Sequence, residues 1–381
     1  MPQRDHWSLL IANPVLTSGG PVNEVVLKPL SDLIAGFPDR QAIGWGQRAM
    51  RLDQIDPRFT GAGVKVAVID SGADNDHPDL TNISRGQDFT VVPTQDFGWE
   101  NDVQAHGSHC CGVVGARNNN SGIRGFAPDA DLRACRVLPG GRFSSLLDSL
   151  DYCIAQELDV VNMSLGGRDT SEEILLKLRQ AKNAGIACIV AAGNAGGPVL
   201  FPGTSPDVLT VAAVGKLSEF PPDSTHALRV SPDAPVDKGY FSASFSCHGP
   251  EVDLCAPGVA IVSSVPPDGF AAWDGTSMAA PHVAGLAALV LAHNPEFLKG
   301  GPFQQRNAAR VDRLFQILKD SATPLNLGDP GRTGAGVPDA VLALSGRSAG
   351  AAAPAGQDIM TELLNQLRQD LVAIGVISPQ G

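Results

Sequence analysis

The amino-acid sequence predicts an α/β fold: a three-layer, doubly wound, mostly parallel sheet flanked by helices. Short apolar runs alternate with helix-length segments along most of the chain, which is the pattern of a parallel sheet covered on both faces. Asp70 follows one apolar run at once, and Asn194 follows another through Gly193. Beyond the carboxyl ends of parallel strands is where such sheets gather functional groups.

Taken in order, Val64-Lys65-Val66-Ala67-Val68-Ile69 reads as a buried strand, and the small-residue segment from His106 reads as a helix. Leu158 to Ser164, Ala187 to Ala192 and Val208 to Val214 read as further strands. A helical pattern from Ser171 to Asn183 separates the first two of these. The longest apolar run, Val283 to Ala292, is too short to span a bilayer, so no membrane contact is expected. No internal repeat appears.

The body is expected over residues 41–347, with residues 1–40 as an N-terminal extension. Ala349 to Gly356 reads as a linker (residues 348–356). It leads to residues 357–381, where Met360, Leu363, Leu364, Leu367, Leu371 and Ile374 recur at helical spacing. That apolar stripe needs a cover: the chain's own body, a second copy in self-association, or a docked partner protein.

The chain has 381 residues, 43% hydrophobic and 18% charged, enough to bury a large core. Its net charge of -12, with no Lys/Arg cluster, argues against a nucleic-acid partner. The apolar stretch from Trp7 to Val15 is interrupted by Ser8, Asn13 and Pro14, unlike a secretory signal. Seven cysteines is an odd number, and the neighbours Cys110 and Cys111 would bridge each other only with strain. Reduced thiols and a cytoplasmic location are therefore expected.

Gln104-Ala105-His106-Gly107-Ser108-His109-Cys110-Cys111-Gly112 carries two histidines and two cysteines. Such a run reads either as a zinc site or as one histidine acting as a base with distant partners. Two other patches bear on the choice: Val66 to Gly72, containing Asp70, and Gly275-Thr276-Ser277-Met278-Ala279-Ala280-Pro281-His282.

With these three motifs in the order Asp, His, Ser, the sequence resembles the subtilisin-like serine proteases over roughly residues 41–347. The resemblance implies a triad of Asp70, His106 and Ser277, in which His106 takes the hydroxyl proton and Asp70 fixes its tautomer. Ala191-Ala192-Gly193-Asn194 resembles the family's oxyanion segment, with the Asn194 amide as donor. Substrate would lie extended along Ser164-Leu165-Gly166-Gly167, a peptide or protein being the implied partner.

By the same resemblance, His109, His282, Cys110 and Cys111 are structural, and Asn162 makes a structural hydrogen bond. A calcium cofactor is implied at Gln41, Asp79 and Asn119 through side chains and at Arg117, Ser121 and Ile123 through carbonyls. Glu251 and Asp253 resemble a weaker cation site. Lys216 to Tyr240 is a long insertion, readable as a substrate-steering loop or as an inert one. Residues 1–40, too short for the family's folding prodomain, either pack on the body or occupy the substrate groove. Against the serine endopeptidase stands a catalytically silent peptide-binding or regulatory protein on the same fold.

Overall fold

The computed structural model describes residues 10–11, 41–90, 98–231 and 233–345. The expected linker and C-terminal helix lie outside these residues. In chain order, a two-residue strand β1 (Leu10–Ile11) and a short helix α1 (Trp45–Ala49) precede β2 (Lys65–Asp70) and β3 (Arg85–Asp88). Then come α2 (His106–Gly115), β4 (Asp131–Arg136), α3 (Phe143–Ala155), β5 (Val160–Met163) and β6 (Leu165–Gly166). They are followed by α4 (Glu172–Asn183), β7 (Ala187–Ala191), β8 (Leu209–Lys216), β9 (Val236–Asp237) and β10 (Tyr240–Ser242). The last elements are β11 (Leu254–Pro257), β12 (Ile261–Val265), β13 (Gly269–Trp273), α5 (Thr276–His293), α6 (Ala308–Asp320) and α7 (Ala340–Ser345).

The main sheet has nine strands in the order β3-β4-β2-β5-β7-β8-β10-β9, with β11 also paired to β8. Pairings from β3 through β8, and β8 with β11, are parallel; the β8–β10 and β10–β9 pairings are antiparallel. This is the expected mostly parallel architecture. Its three layers follow from the two-residue period of β2. Val66 and Val68 face one core, which α2 and α5 close. Ala67 and Ile69 face the other, filled by Leu146 and Leu150 of α3 and by Ile174 and Leu178 of α4. A strand buried on both faces must be apolar at consecutive positions.

Helix α4 begins where its cap does: the Ser171 hydroxyl accepts from the Ile174 N–H at 3.3 Å, and Glu172 and Glu173 sit in the first turn. Strand β4 was not anticipated, because Asp131, Arg133 and Arg136 interrupt its apolar pattern. Arg133 is nevertheless buried, held by Asp131 at 2.8 Å and by Gln156 at 3.1 Å.

Helix α5 runs through the centre of the molecule and packs against α2, β5, β7, β8 and β11. Its composition and 18-residue length would suit a membrane span, but 89% of it is buried in the protein's own core. The α2–α5 contact is close because Gly285 lies under Phe126, whose Cβ would be 2.5 Å from an added methyl. The carbonyl of Val114, in α2, would be 3.1 Å from it. The hairpin β12–β13 covers the outer side of α2. Separately, β1 pairs antiparallel with β6, Leu10 opposite Gly166 and Ile11 opposite Leu165.

Gly285→Ala tests this contact. Alanine is the better helix former by about 1 kcal/mol, yet overpacking here is expected to reverse the sign, costing about 1–3 kcal/mol net. Denaturant midpoints of the two proteins measure it; a midpoint raised by alanine would show that α2 and α5 have room to spare.

Candidate active site

Strand β2 ends on Asp70, which is wholly buried, and α2 begins on His106, which is 2% exposed. Asp70 Oδ1 meets His106 Nδ1 at 2.7 Å. An imidazole that donates through Nδ1 carries its lone pair on Nε2, and His106 Nε2 has no hydrogen-bond partner among the described residues. The ring is also held from its face: Trp273 stacks on it at 6.3 Å and 21°, and on His109 at 4.7 Å and 8°.

The start of α2 depends on a residue that sequence reading missed. Asp102, 4% exposed, accepts from the Ser108 N–H at 2.7 Å, the Ser108 hydroxyl at 2.8 Å and the Ser71 hydroxyl at 2.7 Å. Ser71 Oγ in turn accepts from the Gly107 N–H at 2.9 Å. Asp102 thus serves N–H groups of the first turn from outside the helix, directly and through Ser71; Ala105, whose N–H donates to the Asp102 carbonyl at 3.1 Å, stands at φ +59°, a costly value for a non-glycine residue. Burial pulls the His106 imidazole down, but the charge and hydrogen bond of Asp70, helped by the charge of Asp102, outweigh it. Its pKa is raised above the ordinary 6.5.

Ser277 sits in the first turn of α5, fully buried. Its hydroxyl donates to the Ser164 carbonyl at 3.2 Å. Two donors converge on its own carbonyl: Ser164 Oγ at 2.8 Å and Cys110 Sγ at 3.4 Å. Cys110 lies one turn beyond His106, and its sulfur, a His106 ring nitrogen and an Asp70 oxygen fall within 4.8 Å of one another. Cys110 therefore links the Ser277 backbone to the Asp–His pair. Asn162 makes the expected structural bond, donating to Ser164 Oγ at 2.9 Å.

Asn194, after β7, is oriented by Thr276, whose N–H and hydroxyl donate to Asn194 Oδ1 at 2.9 and 2.8 Å. Both bonds fix which amide atom is which, so Nδ2 points elsewhere. It is buried without a hydrogen-bond partner among the described residues. An unengaged buried donor costs about 1–3 kcal/mol, and it persists where a ligand is to use it.

The zinc reading fails on geometry. His109 Nε2 faces away, onto the carbonyls of Ile261 at 3.0 Å and Ala271 at 3.1 Å, and burial pushes its pKa down to about 3. Burial and neighbouring carboxylates raise both Cys110 and Cys111 well above the ordinary thiol value, so they stay protonated small core residues. His282 bonds the Met278 carbonyl at 2.7 Å and packs under Gly46, as expected of a helix-packing residue.

The expected substrate strand is an edge whose side chains are used elsewhere. Ser164 and Leu165 are buried, while the backbone of Leu165–Gly166 pairs with β1. Gly167 and Phe201 exchange two backbone hydrogen bonds at 2.8 and 3.0 Å, which close its other side.

At the expected calcium site, oxygens converge on the Gln41 amide. Its Nε2 contacts the carbonyls of Arg117 and Ile123 and Asn119 Oδ1. A half-turn of the amide would put its oxygen in that position. Asp79, buried beside it, accepts from Asn119 Nδ2 at 3.1 Å and the Ile123 N–H at 2.8 Å, with no ion pair among the described residues. Ser121 donates its N–H and hydroxyl to Asn119 Oδ1. The Arg117 side chain turns away to Thr81. The donor set is all oxygen and includes a buried carboxylate, so the residues fit a hard cation. At the weaker site, Asp253 accepts from the Thr210 N–H at 3.0 Å and from Lys319 Nζ at 3.3 Å, so a lysine brings positive charge to it.

A buried Asp–His pair beside a helix-start serine, on a parallel sheet, defines an α/β protein with a serine-hydrolase-type site. The family model described as the Subtilase family (Peptidase S8) matches residues 61–336, and the chain belongs to that family. Subtilisin E of Bacillus subtilis (strain 168) is 38% identical over 264 residues, 67% of this chain and 62% of the relative. Subtilisin of Bacillus pumilus has the same identity over the same length, covering 86% of the relative. Alkaline elastase YaB of Bacillus sp. (strain YaB) is 34% identical over 308 residues, 80% of this chain and 70% of the relative. The chain thus spans about 62% of the length of several of the relatives it matches.

The charge of Asp102 predicts a measurable effect on the imidazole. His106 should titrate above 6.5 by NMR, and Asp102→Asn should lower that pKa while Ser108 keeps its acceptor. An unmoved titration would mean that Asp102 acts only on the backbone.

Proposed function

We propose that the chain is a serine endopeptidase, cleaving peptide bonds of peptide or protein substrates through an acyl-enzyme. The observation that carries this reading is the pair of unengaged buried atoms, His106 Nε2 and Asn194 Nδ2, the first tied to the Ser277 carbonyl through Cys110 and the second held by Thr276, the residue before Ser277. One is an acceptor waiting for a proton, the other a donor waiting for a negative oxygen.

Rotation about the Ser277 Cα–Cβ bond takes its hydroxyl from the Ser164 carbonyl toward His106. His106 Nε2 accepts the proton as Oγ bonds to the scissile carbonyl carbon, and Asp70 stabilises the imidazolium through Nδ1–H. The carbonyl electron pair moves onto oxygen, where Asn194 Nδ2 and the Ser277 N–H meet it. Collapse breaks the C–N bond as His106 returns its proton to the leaving amine. Water repeats the sequence on the ester, releasing the acid and restoring Ser277.

A fluorophosphonate should label parent protein at Ser277 and leave Ser277→Ala unlabelled, with peptide cleavage lost in that variant. Asn194→Ala should lower kcat about 10²–10³-fold, the magnitude known for this donor in subtilisin itself. A folded parent protein that neither reacts nor cleaves would leave the silent peptide-binding module as the better reading.

The chain also restrains its own groove. β1 lies antiparallel on β6, the edge where substrate backbone would add as a strand. Such a restraint suits regulated processing better than general turnover. Removing residues 1–40 should raise the initial rate on short peptides; an unchanged rate with unchanged stability would remove this reading.

Calcium would be held by Gln41, Asp79 and Asn119 side chains with the carbonyls of Arg117 and Ile123, tying the strand-end loops together. Chelator should lower the melting temperature and added calcium restore it, by mass action on the folded state. A melting temperature indifferent to both would leave the oxygen cluster as a hydrogen-bonded loop only. Seven unpaired, buried cysteines support a reducing, cytoplasmic location.

A further inference from the structure

The insertion between β8 and β10 reaches back to the segment that carries the nucleophile. Its one-turn stretch Thr225–Arg229 places His226, 6% exposed, so that Nδ1 lies 2.6 Å from Asp274 Oδ1. Arg229 Nε donates to Asp274 Oδ2 at 2.8 Å. The Ala260 N–H donates to Asp274 Oδ1, also at 2.8 Å. Asp274 is itself only 8% exposed, so both its oxygens are engaged in a site that excludes most water. A buried carboxylate with three donors is firmly placed; with those donors removed it is costly to keep.

Asp274 stands at the junction of β13 and α5, between residues with separate tasks. Trp273, before it, stacks on His106. Thr276, two residues on, orients the Asn194 amide. Ser277 follows. Nothing in the first turn of α5 caps it by side chain: Gly275 is the N-cap and has no side chain to offer. Position along this segment must come from elsewhere. The Gly275 N–H donates to Gly258 at 2.8 Å, and the Asp274 carboxylate holds Ala260, at φ +54°, in a conformation that non-glycine residues avoid.

The insertion is in turn secured on its far side. The Arg229 carbonyl accepts from the Ser244 N–H at 2.9 Å, and the guanidinium lies 5.9 Å from the Phe245 ring. Phe220 meets the His226 ring at 6.1 Å and Phe241 at 6.0 Å. An inert surface loop would not bury a histidine, and set a half-buried arginine beside it, on one carboxylate three residues from Ser277.

We propose that His226 and Arg229 are positioning residues: through Asp274 the insertion braces the 273–277 segment and keeps Trp273, Thr276 and Ser277 in mutual register. Neither touches substrate. The proposal rests on the serine peptidase reading for its kinetic consequences, but the brace itself is a mechanical claim about residues 273–277.

The test compares His226→Ala, His226→Asn, Arg229→Ala and Arg229→Lys with the parent full chain. The probes are a fluorophosphonate, a short peptide anilide and amide hydrogen exchange. Both alanine variants should lower kcat and the labelling rate at Ser277 by about tenfold, the effect of losing roughly one charged hydrogen bond. KM should stay within about twofold, because the ground-state strand contacts are untouched. Amides of residues 273–277 should exchange faster, with the rest of the chain unchanged. Asparagine at 226 should restore most of the loss, since its N–H can take the place of Nδ1–H.

Unchanged kcat and exchange in folded variants would overturn the brace, as would a loss that merely follows the unfolded fraction. An asparagine variant as impaired as alanine would overturn its hydrogen-bond basis. If His226→Ala does not fold, Arg229→Ala decides the matter by the same readouts. A parent protein inert to fluorophosphonate would strike at the peptidase reading instead, and exchange at 273–277 would still decide the brace.

Discussion

Between Asp70 and His106 there is 2.7 Å and almost no water. A charge in that position is tolerable only beside a partner, and a neutral imidazole there has a single sensible tautomer. Everything else in the core can be read as keeping that contact and bringing Ser277 to it. Parallel strand β2 delivers the aspartate, α2 starts on the histidine, and α5 carries the serine in its first turn. The two helices can approach because Gly285 has no side chain to separate them. Cys110 completes the connection by donating to the serine's carbonyl.

Legibility in the sequence followed burial. Strands that are apolar on both faces announced themselves, and β2, β5, β7 and β8 lie within a residue or two of where the pattern puts them. Strand β4 stayed hidden because its charged residues are neutralised by neighbours that only the fold brings near, such as Gln156 for Arg133. Asp70, His106 and Ser277 were found by motif and order, with Asn194 by its context. Asp102 and Thr276 were not, since their roles depend on which backbone N–H or amide oxygen lies opposite. Neither carries a local pattern that distinguishes it from any loop carboxylate or helix-start threonine. His226 and Arg229 were invisible for the same reason, inside a segment that reads equally well as inert.

Three histidines near the site show how environment assigns roles to one side chain. His106 is raised by Asp70, whereas His109 and His282, equally buried, lack a carboxylate partner and are pushed down to about 3 and about 4. Their neutral rings bond carbonyls and fill space. Of these three imidazoles only His106 is biased toward taking up a proton.

Lys319 at Asp253 has a consequence for how the molecule meets its surroundings. An ammonium tethered by its own chain cannot be stripped by a chelator or diluted away, whereas a diffusible ion can. The β11 end of the sheet therefore keeps this charge pairing whatever the divalent-cation content of the medium. Ionic strength still weakens it, because the lysine is partly exposed and salt screens it.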